Sequence, residues 1–271
     1  MKVNNNNYFS FKNIYYSLKK GWEIRNVCYF SANARTKERF VRTKLGSFWI
    51  GLSNLLSISL LSFVYGTVFK VQDIREYILY LGIGMVIWNS LSTTISASPN
   101  LLIQNEQKIK NMNTDPIFYS LEEWIFQIQS LFQSFSLVLI VLAFFKFNIL
   151  INTIFLGLLP FVNLLLFMFW FPLITCLLGA KFRDIYQLVP ILLQLVFLLS
   201  PILYMKENLG SLTWIINLNP FYLYIDQIRE AVVYGNLEIF KTLILLIFNL
   251  IGLYLSIGIL NKEKKYLPFI I

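Results

Sequence analysis

The chain has no histidine, and its 271 residues include only two cysteines, Cys28 and Cys176. Two isolated cysteines without histidine make no metal site. Both fall near the cytoplasmic side in the topology derived below, where a disulfide is not expected. Charge is sparse as well: 14% of residues are charged, against about a quarter in a soluble domain. No GxxxxGK[ST] phosphate loop occurs, and Gly179-Ala180-Lys181 lacks its spacing. Neither HExxH nor GxSxG is present. Glu122 and Glu123 are adjacent, so their side chains point to different parts of a helix surface and not to one reaction centre. Two loop acids can still serve a glycosyl-transfer site, which keeps an enzyme in play without a motif for it.

What is present in quantity is apolar sequence, at 57% of residues. Six stretches carry no charged residue: Phe48–Phe69, Tyr77–Ser98, Ile125–Phe145, Ile149–Ala180, Ile185–Tyr204 and Thr242–Leu260. A bilayer core about 30 Å thick needs roughly 20 apolar helical residues to cross it, so each qualifies as a span. The expected fold is an all-α integral membrane protein forming a single membrane domain. Within it, 1–47 is a cytoplasmic or interface region, 48–260 a six-span region and 261–271 a cytoplasmic tail. Ion-driven carriers usually bury an Asp, Glu, Lys or His in a span; these spans hold none.

The net charge of +9 is unevenly distributed. With six spans both ends share a side. Seventeen of the 23 Lys and Arg then fall on that side and six on the other. Positive charge stays cytoplasmic, so both termini are predicted inside. This topogenic distribution accounts for the basic balance better than a nucleic-acid partner does. No secretory signal is visible in MKVNNNNYFS.

Phe11, Ile14, Tyr15 and Leu18 share one helix face, with Lys12, Lys19 and Lys20 around the rest. That pattern suits a helix lying in the membrane interface, the alternative being a helix packed on protein. Gly21 is expected to break it, and the basic segment Arg35–Lys44 to lead into the first span. The loop Pro99–Trp124, with a turn at Asp115-Pro116, is either a short helix offered to a partner or a solvated connector. On the outer side, Trp214–Leu218 is too short to cross, and Asn219-Pro220 offers an N-cap and first-turn proline. Phe221, Ile225, Ile228 and Val232 then form one stripe and Asp226, Arg229 and Glu230 the other face, with Gly235 suited to the helix end. Two short re-entrant outer helices are expected here, near a pore mouth or gate.

The spans carry uncharged polar groups: Ser53, Asn54, Ser57, Ser59 and Ser62; Asn89, Ser90, Ser92, Thr93, Thr94, Ser96 and Ser98; and Gln129, Gln133 and Ser136 on one face. These suit a path for a neutral or sugar-rich substrate and equally serve as helix–helix glue. The aromatics Phe63, Tyr65, Phe69, Tyr204, Trp214, Phe221 and Tyr224 gather at outer ends, as channel or gate residues or as an interfacial belt.

Three local patterns converge. Arg42-Thr43-Lys44-Leu45-Gly46-Ser47-Phe48-Trp49 reads basic, then Leu-Gly-x-x-Trp. Phe182-Arg183-Asp184-Ile185 leads into a span containing Pro190 and Pro201. Leu218-Asn219-Pro220 is followed nine residues on by Arg229. Together these resemble the permease subunit of ABC-type polysaccharide exporters, the type-2 class that moves O-antigen, capsule and teichoic acid chains. Gly46, Trp49, Arg183, Asp184, Asn219, Pro220 and Arg229 carry the resemblance. The segment Lys108–Pro116 departs from the family's basic stretch ending in an aromatic–proline pair. The resemblance implies a bacterial inner-membrane homodimer with a pore along its interface, two copies of a separate ATPase beneath it, and ATP and Mg on that partner only. It places Gln104, Glu106, Lys108, Lys110, Asp115 and Pro116 toward the ATPase and the outer helices at the exit. The implied substrate is a lipid-linked glycan; the charge cluster suggests Arg35, Arg39 and Arg42 for its diphosphate head, with membrane lipids around. A membrane-embedded transferase of envelope glycan synthesis is the alternative.

Overall fold

A computed structural model describes residues 8–112, 114–206, 216 and 219–270. Among the described residues every regular element is helical. In chain order these are α1 (Phe11–Glu23), α2 (Arg25–Arg39), α3 (Phe48–Val68), α4 (Ile74–Ala97), α5 (Leu101–Gln104), α6 (Glu106–Met112) and α7 (Pro116–Ala143). There follow α8 (Asn148–Phe155), α9 (Leu158–Lys181), α10 (Ile185–Leu199), α11 (Pro220–Arg229), α12 (Ile239–Glu263) and α13 (Leu267–Ile270). A short tight turn, Ser98–Asn100, joins α4 to α5, and a wider π turn, Glu230–Tyr234, follows α11.

Among the described residues five helices are long and apolar enough to cross a bilayer: Phe48–Val68, Ile74–Gln104, Pro116–Ala143, Leu158–Lys181 and Ile239–Glu263. The sixth apolar stretch forms a helix of only 15 residues, α10. At 1.5 Å per residue that is about 22 Å, short of a full crossing. The backbone then leaves the helix at Ser200. The stretch Ile149–Ala180 is not one span either. It divides at Leu156–Gly157 into α8 and α9. Pro160 explains the break: in a continuous helix its ring would collide with the Leu156 carbonyl, and it has no N–H to donate.

α4 is the axis of the bundle. In its most apolar window 78% of residues are buried, against 17% for α3. α3 and α10 therefore leave most of their apolar surface uncovered, including Leu56, Leu60, Phe63, Ile191, Leu195 and Leu198. α9 and α12 are joined by a buried polar relay. Trp170 Nε1 donates to Asn249 Oδ1 at 2.9 Å, Asn249 Nδ2 donates to the Asn163 carbonyl at 3.1 Å, and Asn163 Nδ2 donates to the Thr242 carbonyl at 2.9 Å. In lipid such amides act as interhelical bonds because no water competes.

Both described ends of the chain meet on one side of the bundle. α1 packs on α12 through Ser17 Oγ, which donates to Asn261 Oδ1 at 2.7 Å, and through the Tyr254 hydroxyl, which donates to the Phe9 carbonyl. α1 runs on through Gly21 and ends two residues later; a Cβ at Gly21 would lie 3.0 Å from Leu121, so the glycine serves a close helix contact and not a break. Ile14 faces protein, whereas Phe11, Tyr15, Leu18 and Trp22 form an uncovered apolar stripe. That exposed stripe is what a helix lying in the membrane interface presents. α2, which contains Arg35 and Arg39, lies along α7, and a turn spanning 40–47 separates it from α3.

A polar cleft and two pinned ends as the candidate functional site

α3, α4 and α7 enclose a cleft of about 840 Å³, within the range of ligand-sized cavities. α3 contributes Trp49, Ser53 and Asn54; α4 contributes Asn89, Ser90, Ser92, Thr93 and Ser96; α7 contributes Gln127, Ser130 and Ser134. Asn54 ties the three walls together. It accepts from Asn89 Nδ2 at 2.7 Å and donates to Ser134 Oγ at 2.5 Å. The serines and threonines of α4 bond partly to their own helix, as Thr93 does to the Asn89 carbonyl at 2.8 Å. A hydroxyl spent in this way has no donor left and keeps only its oxygen as an acceptor. Arg39 is the one charged residue in the lining; Phe40 beside it and Trp49 complete that end.

The third-span face anticipated from sequence, Gln129, Gln133 and Ser136, is not in this lining. Gln129 accepts from Thr36 Oγ1 at 2.9 Å, and Ser136 donates to the Gln133 carbonyl at 3.2 Å. Gln127, Ser130 and Ser134, at i, i+3 and i+7, also share one helix side, on a different face. α7 thus carries two polar stripes, and only packing decides which one borders the cleft.

The three head-group candidates separate. Arg35 donates to Glu123 Oε2 at 2.5 Å and lies over the Phe126 ring at 4.3 Å. Glu123 is only 4% exposed, and its other oxygen accepts from Gln127 Nε2 at 2.7 Å. Arg35 is therefore committed to neutralising a buried carboxylate. Arg39 is exposed at the cleft. Arg42 is exposed in the turn before α3 with φ 71°, a left-handed conformation costly for a side-chain residue; Gly46 takes the same region at φ 56°.

Gln104, Lys108 and Lys110 are exposed on α5 and α6, with Lys110 paired to Glu106 at 2.7 Å. The loop is thus two short helices with a polar outer face. Asp115 behaves differently. It is half-buried with its side chain 9% exposed, its Oδ1 accepts from the Ile117 N–H at 3.4 Å, and its Oδ2 meets Lys20 at 2.9 Å and also Lys264. Burial alone would raise its carboxyl. Hydrogen bonds and charge from Lys264 and Lys20 outweigh that and hold it below the usual carboxylate range. Pro116 is the first residue of α7, where its missing N–H costs nothing. On the same side Lys181 pairs with Glu263 at 2.8 Å. Arg183 and Asp184 are exposed in the turn before α10. Cys28 is buried on α2, and desolvation, then the charge of Glu122, pushes its thiol up to about 11; both cysteines are free.

At the opposite end, Asn219 caps α11: its Oδ1 accepts from the Phe221 N–H at 3.1 Å and the Tyr222 N–H at 3.4 Å. Its Nδ2 donates to Ser200 Oγ at 2.7 Å, which fixes α11 to the end of α10. Gly235 closes the helical segment at φ 70°. Arg229 does not share an exposed face with Asp226 and Glu230. It is 1% exposed, the largest fully buried side chain among the described residues. Its Nε donates to the Tyr80 carbonyl at 3.1 Å, its Nη1 to the Pro201 carbonyl at 3.3 Å, and its guanidinium lies 3.5 Å from the Tyr80 ring centroid. Nη2 has no hydrogen-bond partner. The reason for its burial is periodicity: position 229 is four after Ile225 and seven after Tyr222, on their face of the helix. Lys146 and Asn152 reach the π turn, donating to the Val233 and Val232 carbonyls at 2.8 and 3.2 Å.

The aromatics anticipated at a channel or gate divide in the same way. Phe63 and Phe69 are exposed and Tyr65 stacks on Phe69. Tyr204 is half-buried. Phe221 packs edge-on against Phe167 and Phe171. Tyr224 is fully buried, stacked on Phe167 at 4.4 Å with its hydroxyl on Asn249 Oδ1 at 2.7 Å, so it belongs to the bundle core. Trp214, and the first of the two outer helices expected from sequence, lie outside the described residues.

Apolar spans around a hydrogen-bonding cleft with Arg39 at one end suit a membrane transport subunit, and among the described residues no three His, Cys, Asp or Glu gather as a metal site. The chain belongs to the ABC-2 type transporter family, whose pattern matches residues 34–233. It is similar to two O-antigen export system permease proteins RfbA of Klebsiella pneumoniae. They are 25% and 26% identical over 235 residues, covering 86% of this chain and 90% of each relative. The protein is thus a multi-pass inner-membrane subunit, and its family implies association with an ABC ATPase.

Proposed function

We propose that the chain is the permease subunit of an ATP-driven exporter that moves a lipid-linked polysaccharide across the cytoplasmic membrane. Two copies form the pore, two ATPase subunits supply ATP and Mg, and both termini are cytoplasmic. The observation that carries this reading is the cleft of about 840 Å³, lined largely by uncharged amides and hydroxyls with Arg39 at one end. Such a lining can exchange hydrogen bonds with successive sugar hydroxyls, and among the described residues it contains no carboxylate. The named O-antigen permeases among its relatives support the same substrate class. Exposed Gln104, Lys108 and Lys110 are the ATPase-facing groups in this reading, and Asp115 with Pro116 fixes that surface to the bundle. Arg39 and Arg42, exposed and in no ion pair among the described residues, are the cations for the diphosphate in this reading.

The transferase alternative needs a carboxylate free to act, and Glu123 is held by Arg35 and Gln127. The two are separated by reconstituting the chain with its ATPase in vesicles containing a labelled lipid-linked glycan. ATP-dependent movement of label to the opposite leaflet is expected. Sugar transfer by the chain alone, or failure to bind any ATPase, would overturn the proposal. Labelling of cysteines introduced at 10 and 262 from either side tests the orientation.

A further inference from the structure

A second concavity lies outside the polar cleft, on the far side of α7. It is about 280 Å³ and runs between α1, α7, α9 and α12. Its walls are carbon: Leu18 and Trp22 above, Leu121 and Trp124 at the back, Phe169 and Leu253 at the side. Trp124 turns its polar edge away, its Nε1 donating to the Leu165 carbonyl at 2.9 Å, so the indole presents only its apolar surface. One charged residue stands in the lining, Arg25. Its Nη1 donates to the Trp22 carbonyl at 2.9 Å, and its guanidinium lies 4.5 Å from the Trp22 ring centroid. Among the described residues it forms no ion pair. Arg25 is thus held in place by one of its five N–H groups while the others remain available.

Depth identifies the occupant. The groove opens beside the uncovered stripe of α1, where Phe11, Tyr15, Leu18 and Trp22 are 81%, 68%, 39% and 67% exposed. Those residues mark the boundary between acyl chains and head groups. A chain-shaped apolar slot with a fixed, unpaired guanidinium at its mouth is complementary to one molecule available at that boundary. We propose that the groove holds an acyl chain of an anionic phospholipid, with the lipid phosphate on Arg25. The planar guanidinium offers paired donors to a phosphate. The bound lipid then acts as a wedge seating α1 against α7 and α12. The site is independent of the glycan reading, since it shares no residue with the polar cleft.

The test uses the full-length chain extracted from its membrane with its bound subunits and delipidated in mild detergent. Native mass spectrometry follows titration with phosphatidylglycerol or phosphatidylcholine. One tightly held phosphatidylglycerol is expected, with phosphatidylcholine, whose phosphate is the same but carries a cationic choline that repels Arg25, weaker by about tenfold, or about 1.4 kcal/mol. Arg25→Gln, an exposed change, should abolish that preference, whereas Lys19→Gln should not. Leu121→Trp should fill the slot and release both lipids; its folding is checked by melting temperature. Equal retention of the two lipids by the unaltered protein, or an undiminished preference in folded Arg25→Gln, would overturn the proposal.

Discussion

Arg229 provides the sharpest test of how the outer end is held. It has two hydrogen bonds to carbonyls and a ring contact, yet no carboxylate pairs with it among the described residues and one nitrogen is idle. Each charged bond contributes about 1.5–3 kcal/mol and a desolvated ring contact about 2. Against them stands the several-kcal/mol cost of burying an unpaired cation. The two sides nearly cancel. Removing the charge while keeping the volume, as Arg229→Met does, should therefore change stability by no more than about 1 kcal/mol. The carbonyls are not orphaned, because the Tyr80 carbonyl lies within a helix and the Pro201 carbonyl also accepts from the Tyr80 hydroxyl at 2.8 Å. Arg229→Ala leaves a cavity and should cost about 3–5 kcal/mol. Arg229→Lys keeps the charge but loses the fork that reaches two carbonyls, so it should be less stable than Arg229→Met. Intrinsic-fluorescence melting in detergent reads the series, at about 2–4 °C per kcal/mol. A lysine variant as stable as the unaltered protein, with the methionine variant collapsed, would refute the reasoning: the positive charge itself would then be what the site requires.

Three further expectations follow from the geometry. A Cβ at Gly84 would lie 2.2 Å from Arg229 Nη2, so Gly84→Ala should cost about 1–3 kcal/mol; that cost should shrink in an Arg229→Ala background, as a double-mutant melting cycle reads. Asp115→Asn should lower stability by about 1–2 kcal/mol, since both lysine partners are more than a third exposed. Because Asp115 is depressed from its ordinary 3.8, its contribution is present above that pH and disappears as pH falls through the folded value, so melting curves of the two proteins should converge in acid. Arg35→Gln strands a carboxylate that is 4% exposed and should destabilise by about 3 kcal/mol, whereas Arg39→Gln should leave melting unchanged and lower glycan export; a matched loss of stability in both would remove Arg39 from the head-group role.

Sequence and structure agree most closely where short-range chemistry decides. Asn219-Pro220 starts a helix because a side-chain acceptor precedes a residue that needs no N–H partner, and Asp115-Pro116 does the same for α7. The apolar character of the spans is legible because lipid leaves the backbone no alternative to a helix. Composition says less about where an apolar run divides. Ile149–Ala180 reads as continuous because Gly157 and Pro160 are ordinary residues in membrane helices, and only the folded backbone shows the break. Arg229 was misplaced by its charge, although its spacing from Tyr222 and Ile225 set it on the inner face. The cleft was legible in part on α3 and α4, where Ser53, Asn54, Asn89, Ser90, Ser92, Thr93 and Ser96 line it but Ser57, Ser59, Ser62, Thr94 and Ser98 do not, and not on α7, where there are two polar stripes.

The double pairing of Asp115 has a consequence in time. Lys20 is made early, but Lys264 follows the last long helix, so the Asp115 knot completes only after α12 is in place. Until then the carboxylate has one of its two lysines and the seam between first and last helices stays open. Closure of that seam marks that the chain has been threaded as far as residue 264, and a protein stopped short of it would lack that stitch.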